Sequence, residues 1–317
     1  MMLWPLLLGC LVLAGGIARA MAAVGPLDQP DARKLHTLPV PRGGGLGIVV
    51  AFLLGMETLS ANGMVDVGYF RGVMLAAALL AGVGWLDDLR NLSFWSKLVA
   101  QAVAAGIAVA SGLVLPLGGG AVTLGWLMLV TNAVNFIDGM NGLAGLVVLV
   151  AAGCVAGLVA PGWASLAGAL LAAGVAGFLP FNFPRARVFL GDVGSQFCGF
   201  MLGVIGVAAA GQGDLTLMPL LLSAVLWDVG FTLARRALAG DNLAQAHRGH
   251  LYQLAQRAGM DARLVALMHA GFAALGGWVA WRGLAGQPGW LLLPIGAQVG
   301  WTLWVLQRAR RASIGPW

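Results

Sequence analysis

The chain has 317 residues, of which 60% are hydrophobic and only 9% charged, with a mean hydropathy of +0.88. An average soluble domain carries about 25% charged residues, so a soluble globular enzyme, a disordered tail and a fibrous protein are excluded. The apolar surplus must face lipid, which makes the chain an all-α, polytopic membrane bundle, and the net charge of +6 is read as membrane orientation, with no nucleic-acid partner.

Residues 3–24 form an apolar run that ends in small residues, and Leu7-Leu8-Gly9-Cys10 looks like a lipoprotein cleavage box. Either kind of leader needs a basic start, which Met1-Met2-Leu3-Trp4 lacks, so the run is expected to stay as a first helix. Further apolar segments follow at about 44–62, 72–86, 97–115, 120–138, 142–160, 163–180, 195–212, 217–238, 262–282 and 288–306, about eleven in all, in one integral domain over 1–317. Crossing the hydrocarbon takes roughly 20 residues. The 49 glycines suit close helix packing in lipid. Cys10, Cys154 and Cys198 sit in apolar runs without a CxxC and read as packing residues.

With the N-terminus outside, the cytosolic connections hold Arg33, Lys34, Arg42, Arg90, Lys97, Arg185, Arg187, Arg235, Arg236, Arg248, Arg257 and Arg263, and the tail adds Arg308, Arg310 and Arg311. The other side holds only Arg71 and Arg282. The positive-inside rule makes that bias decisive. Asp28, Asp31, Asp87, Asp88, Asp138, Asp192, Asp241 and Asp261 share the cytosolic side. Polar groups of both signs thus crowd one face, where a site at the lipid–water boundary is expected.

Five motifs follow in chain order. Pro41-Arg42-Gly43-Gly44-Gly45 precedes the second segment, and a glycine-rich loop before a helix can cradle phosphate, although no Walker lysine–serine pair accompanies it. Asp87-Asp88 ends the third segment, where the helix dipole is also negative, so solvent, a cation or a metal must offset them. Lys97, just beyond, can either snorkel or hold a phosphate. Asn132, Asn135 and Asp138 form a polar stripe at the end of the fifth segment, suited to a cavity or to helix adhesion. Phe189-Leu190-Gly191-Asp192-Val193-Gly194-Ser195 leads into the eighth segment, with Ser195 the expected N-cap. That helix start favours an anion, and Asp192 beside it suits a divalent cation bridging carboxylate and phosphate. His247-Arg248-Gly249-His250 lies in the longest cytosolic connection, where neutral donors and a guanidinium suit phosphate or sugar hydroxyls better than zinc. Asp228, inside an apolar run, is either functional or bonded to a neighbouring helix.

Together these motifs resemble the polyprenyl-phosphate N-acetylhexosamine-1-phosphate transferases, bacterial glycosyltransferase family 4. The resemblance runs from about Asp28 to Gln253, and the His-x-x-His and Pro-Arg-Gly-Gly-Gly loops look like its O-antigen branch. It implies that undecaprenyl phosphate attacks the β-phosphorus of a UDP-N-acetylhexosamine, releasing UMP, with Mg²⁺ as cofactor, in the bacterial inner membrane; homodimerisation stays open. By resemblance, Asp192 is the Mg²⁺ ligand with Asn135 a second, Asp87 deprotonates or orients the lipid phosphate, and Asp88 holds the metal–phosphate geometry. Phe189 would stack on uracil, while Arg42, Lys97, Asn132, Asp138, His247, Arg248 and His250 would bind substrate. Asn141 stands where the family commonly has a second aspartate, which puts nucleotide or sugar preference there in doubt. A transporter or flippase for a phosphorylated lipid is the alternative, but transporters place polar groups near the midplane. A CDP-alcohol phosphotransferase would need one dense Asp-rich helix, which the sequence lacks.

Overall fold

The computed structural model describes residues 3–30, 38–245, 247–284 and 286–314, so Asp31, Arg33 and Lys34 of the charge map lie outside the described residues. The chain is helical almost throughout: α1 (Leu3–Val24), α2 (Leu46–Ala61), α3 (Phe70–Arg90), α4 (Phe94–Ala110), α5 (Gly119–Ile137), α6 (Leu143–Leu158), α7 (Trp163–Phe178), α8 (Gly191–Gly211), α9 (Leu217–Leu221), α10 (Ser223–Leu238), α11 (Leu251–Arg257), α12 (Ala262–Leu284) and α13 (Leu292–Arg311). The sheet among the described residues is a two-residue antiparallel ladder, β1 (Leu27–Asp28) with β2 (Val40–Pro41), pairing Leu27 with Pro41 and Asp28 with Val40.

The expected apolar segments are helical, because a run of apolar residues in lipid can satisfy its backbone only internally. Among the described residues seven helices are long and apolar enough to cross a membrane, and Leu46–Ala61, Phe94–Ala110 and Leu143–Leu158 are shorter apolar helices. The ninth segment is broken at Leu222 into α9 and α10. The three cysteines are unpaired.

One helix organises the bundle. The spanning window of α8 is entirely buried, against 22% for α1 and 28% for the C-terminal span. It packs on α3 and α5 through glycines that let backbones touch. A Cβ added to Gly84 of α3 would lie 2.6 Å from the Asp192 carbonyl oxygen, and one on Gly199 of α8 would lie 2.8 Å from Thr131 Cα. At one end of the bundle Arg71 and Glu57 pair at 2.6 Å on exposed helix ends. The polar residues singled out above gather at the other.

Candidate active site

The site forms where α3 and α5 end and α4 and α8 begin. Helix α3 runs through both aspartates to Arg90 and stops at Asn91, whose left-handed φ of 50° ends the helix. Ser93 then caps α4, accepting from the Ser96 amide at 3.1 Å. The tight link turns Lys97 back toward the aspartates: its Nζ donates to Asp87 Oδ2 at 3.1 Å and to Asp192 Oδ2 at 2.9 Å. That shared ammonium, together with the Leu92 amide donating to Asp87 Oδ1, offsets the unfavourable placing of a carboxylate at a helix C-terminus.

Asp88 does something the sequence did not suggest. Its carboxylate accepts from the amides of Asp192 at 2.9 Å and Val193 at 3.2 Å, so a residue of α3 caps α8. Two corrections follow. Helix α8 starts at Gly191, which leaves Ser195 inside the helix, where its hydroxyl accepts from Asn135 at 2.8 Å instead of capping. The first amides of α8 are also taken by Asp88 rather than open to an anion. Gly191 makes the contact possible, since it has a φ of +74° and any Cβ there would strike the Asp88 carboxylate.

Asp192 stands in the first turn of α8. Its Oδ1 accepts from Asn135 at 3.2 Å and its Oδ2 from Lys97 and from Gln196 at 3.0 Å. The glycine-rich loop does not cradle a ligand with its amides. Gly44 and Gly45 donate to the carbonyls of Phe189 and Leu190 at 2.9 Å each, and Phe189 donates back to Pro41 at 2.8 Å. This stitching fixes the turn that carries Phe189. Arg42 pairs with Asp28 and donates to Asn91 Oδ1 at 3.2 Å, and the β1–β2 ladder brings Asp28 beside it.

A cavity of about 420 Å³ opens here, lined by Asp28, Arg42, Asp87, Asp88, Asn91, Lys97, Asp138, Asn141, Phe189, Asp192, Gln253 and Gln256 among others. Burial, then the fields of Asp192 and Asp88, push Asp138 well above the usual carboxylate range, toward a neutral acid that can donate a hydrogen bond.

Four expected substrate contacts lie outside that lining. Asn132 points into the bundle and pairs with Gln101. His250 is 4% exposed and its Nδ1 lies 3.0 Å from Asp228 Oδ1. Asp228 also accepts from the amides of Leu251 at 2.9 Å and Tyr252 at 3.0 Å, so the open choice for Asp228 resolves to a bond with a neighbouring helix, α11. His247 stacks on His250 with ring centroids 4.9 Å apart, and burial, then His250, Arg236 and Arg235, push it down to about 4. Arg248 accepts on its carbonyl from Arg257 at 3.1 Å. In their place α11 presents Gln253 and Gln256 to the cavity. These two were missed because a helix of seven residues is too short to show an apolar run.

Comparison with known proteins bears on this arrangement. The sequence model of one family, Glycosyl transferase family 4, matches residues 70–210. A relative from Mycobacterium leprae (strain TN), named decaprenyl-phosphate N-acetylglucosaminephosphotransferase, is 31% identical over 303 residues, covering 81% of this chain and 75% of its own. The chain belongs to glycosyl transferase family 4. A family member from Bacillus subtilis (strain 168), named probable undecaprenyl-phosphate N-acetylglucosaminyl 1-phosphate transferase, is 27% identical over 83% of this chain and 78% of its own. One from Thermotoga maritima, named undecaprenyl-phosphate alpha-N-acetylglucosaminyl 1-phosphate transferase, is 30% identical over 73% of each. In this family 4 protein the matched stretch carries Asp87, Asp88, Lys97, Asp138, Phe189 and Asp192. Arg42, Gln253 and Gln256 lie beyond it and reach the cavity through the fold.

Proposed function

We propose that the chain transfers an N-acetylhexosamine 1-phosphate from a UDP-sugar to undecaprenyl phosphate at the cytosolic face of the bacterial inner membrane. An oxygen of the lipid phosphate bonds to the β-phosphorus of the donor. The bond from that phosphorus to the bridging oxygen breaks, UMP leaves with the electron pair, and undecaprenyl-diphospho-sugar stays in the membrane for O-antigen or related envelope polysaccharide synthesis. The relatives' names, which pair a sugar phosphate with undecaprenyl or decaprenyl phosphate, support this.

The observation that carries it is the gathering of Asp87, Asp88, Asp138 and Asp192 with Arg42 and Lys97 in one cavity, built from the ends of α3, α4, α5 and α8. A lipid phosphate and a soluble nucleotide can meet only at the membrane boundary, and helix ends are where that boundary lies. A transporter would place such groups at the midplane.

The cavity lining sets Asp28, Asp87, Asp88 and Asp192 against Arg42 and Lys97, an acidic balance that repels a diphosphate unless a divalent cation intervenes. Among the described residues no group of three His, Cys, Asp or Glu side chains could hold a metal alone. Mg²⁺ fits nonetheless, since it is held by one or two carboxylates together with water and substrate phosphates. Asp192 and Asn135 would hold it, and when bound it stabilises the charge that develops on the phosphoryl oxygens. Asp87 orients the lipid phosphate, which at neutral pH is mostly deprotonated already. Asp88 keeps α8 in register with α3. Lys97 and Arg42 turn from their carboxylate partners to phosphate oxygens, Phe189 stacks on the base, and Asp138 donates to the donor. Gln253 and Gln256 take the sugar-facing part that the motif had given to His247, Arg248 and His250.

Membranes containing the protein, supplied with undecaprenyl phosphate and a panel of UDP-aminosugars, should release UMP with at least one donor and only when the lipid is present. No release with any donor, or release that ignores the lipid, overturns the assignment.

A further inference from the structure

Three neutral amides occupy the interior behind the cavity, where a membrane bundle would ordinarily place carbon. Gln101 of α4 is 3% exposed and Gln196 of α8 is 0% exposed; Asn132 of α5 is half-buried. They form a chain. Asn132 Nδ2 donates to Gln101 Oε1 at 2.5 Å, Gln101 Nε2 donates to Gln196 Oε1 at 3.3 Å, and Gln196 Nε2 donates to Asp192 Oδ2 at 3.0 Å. Followed from Asn132, it ends on a carboxylate.

Adhesion between helices explains only part of this. Gln101 and Asn132 already close a reciprocal pair, with Gln101 Nε2 also 3.3 Å from Asn132 Oδ1. Gln196 extends that pair along α8 to Asp192, one turn back on the same helix. A fully buried amide is costly unless both its ends are used, and here both are. The donors on Asp192 also differ in firmness. Lys97 is a flexible ammonium shared with Asp87 and is free to turn toward a phosphate. Gln196 is held at its far end by Gln101, so it stays when Lys97 leaves.

We propose that Gln196, braced by Gln101, is a positioning residue that fixes the orientation of the Asp192 carboxylate toward the cavity, while touching no substrate itself. The proposal rests on the part given to Asp192 above. Losing a partner that orients a ligand typically costs about 10–100-fold in activity or metal affinity.

The test compares purified wild type with Gln196→Leu, Gln101→Leu and Asp192→Asn. Gln196→Met replaces the leucine variant if that one is not monodisperse. Three quantities are read: the kcat and KM of UMP release, the thermal midpoint in detergent, and Mn²⁺ binding by electron paramagnetic resonance with UMP present. The expected result for Gln196→Leu is a kcat lower by about 10–100-fold, a KM for the donor that moves far less, weaker Mn²⁺ binding and a nearly unchanged midpoint. Gln101→Leu should show the same pattern in smaller measure. Wild-type kcat and Mn²⁺ binding in Gln196→Leu beside an inactive Asp192→Asn overturns the proposal alone, and so does a fall in midpoint with turnover per folded molecule intact, which is the mark of adhesion. Wild-type turnover in Asp192→Asn overturns the proposal together with the assignment beneath it.

Discussion

Two carboxylates in this protein cap helices other than their own, and the difference between them separates chemistry from architecture. Asp88 reaches from α3 to the first amides of α8, and Asp228 reaches from α10 to the first amides of α11. Both do what a local Ser or Asp does at a helix start, but across the bundle. Asp88 opens on the cavity, with Asp87 next to it and Arg42 and Lys97 in the same lining. Asp228 is 1% exposed and surrounded by its donors, with the Thr232 hydroxyl at 3.2 Å and the His250 ring completing the set. A capping carboxylate left open to a cavity can hold a helix and shape a site together. A sealed one can only hold the helix.

The largest expected effect falls on the sealed cap. Asp228→Ala leaves the α11 amides and His250 without a buried acceptor, and removing one partner of such a set costs about 3–5 kcal/mol. The thermal midpoint in detergent should drop sharply; an unchanged midpoint would remove the distinction drawn here. Next comes Asp192→Asn, seated on the open cap. It keeps size and hydrogen bonding but loses the charge, so UMP release should fall at least about a hundredfold with the folded protein intact, and near-normal turnover with unchanged Mg²⁺ dependence would sink the metal assignment. Asp88→Asn should be milder, at about 10–100-fold in turnover with a modest fall in midpoint, because the amide oxygen keeps one of the two α8 amides while the NH2 cannot accept from the other. If its midpoint fell as far as that of Asp228→Ala, the two caps would be alike.

The smallest effect is a pH slope at the sealed end. Burial pushes His247 down to about 4 in the folded chain, from an ordinary 6.5. Between those values the unfolded chain binds a proton that the folded chain refuses, so stability rises with pH across that window and is lost on acidification. Thermal midpoints at pH 7 and pH 5 should therefore differ less in His247→Phe than in wild type.

The helices were legible because lipid enforces them: long apolar runs have one way to satisfy their backbones. Their polar ends were not. The apolar signal of α3 fades before Asp87 and that of α8 rises only near Ser195, so both helices looked shorter than they are, although their backbones continue to Arg90 and start at Gly191. The cross-helix cap by Asp88 removes the need for Ser195, and no local pattern announces a cap that comes from a residue about a hundred positions away. Of the residues singled out for chemistry, Asp87, Asp88, Asp138, Asp192, Arg42, Lys97 and Phe189 share the cavity, whereas Asn132, Asn135, His247, Arg248 and His250 do not line it; Asn135 reaches it only through its bond to Asp192. The signal for Gln101 and Gln196 was present, since an amide within an apolar run demands a partner. The signal for Asp28 depended on a two-residue ladder too short to read.

Helix α8 is sheathed in protein along its whole spanning window, and this gives it a different evolutionary latitude from the helices on the rim. On α1, where most of the surface meets lipid, one greasy residue exchanges for another at little cost, because the bilayer is an indifferent neighbour. Nothing around α8 is indifferent. At Gly199 a single added methyl meets the α5 backbone, so even alanine is too large. Yet protein, unlike lipid, can supply partners, so this helix carries a carboxylate and an amide in its first turns where Lys97, Asn135 and Gln101 stand ready to bond them. Substitution on α8 is thus narrow in size, and polar only where a neighbour answers, whereas the bilayer asks of the helices around it only that they be greasy.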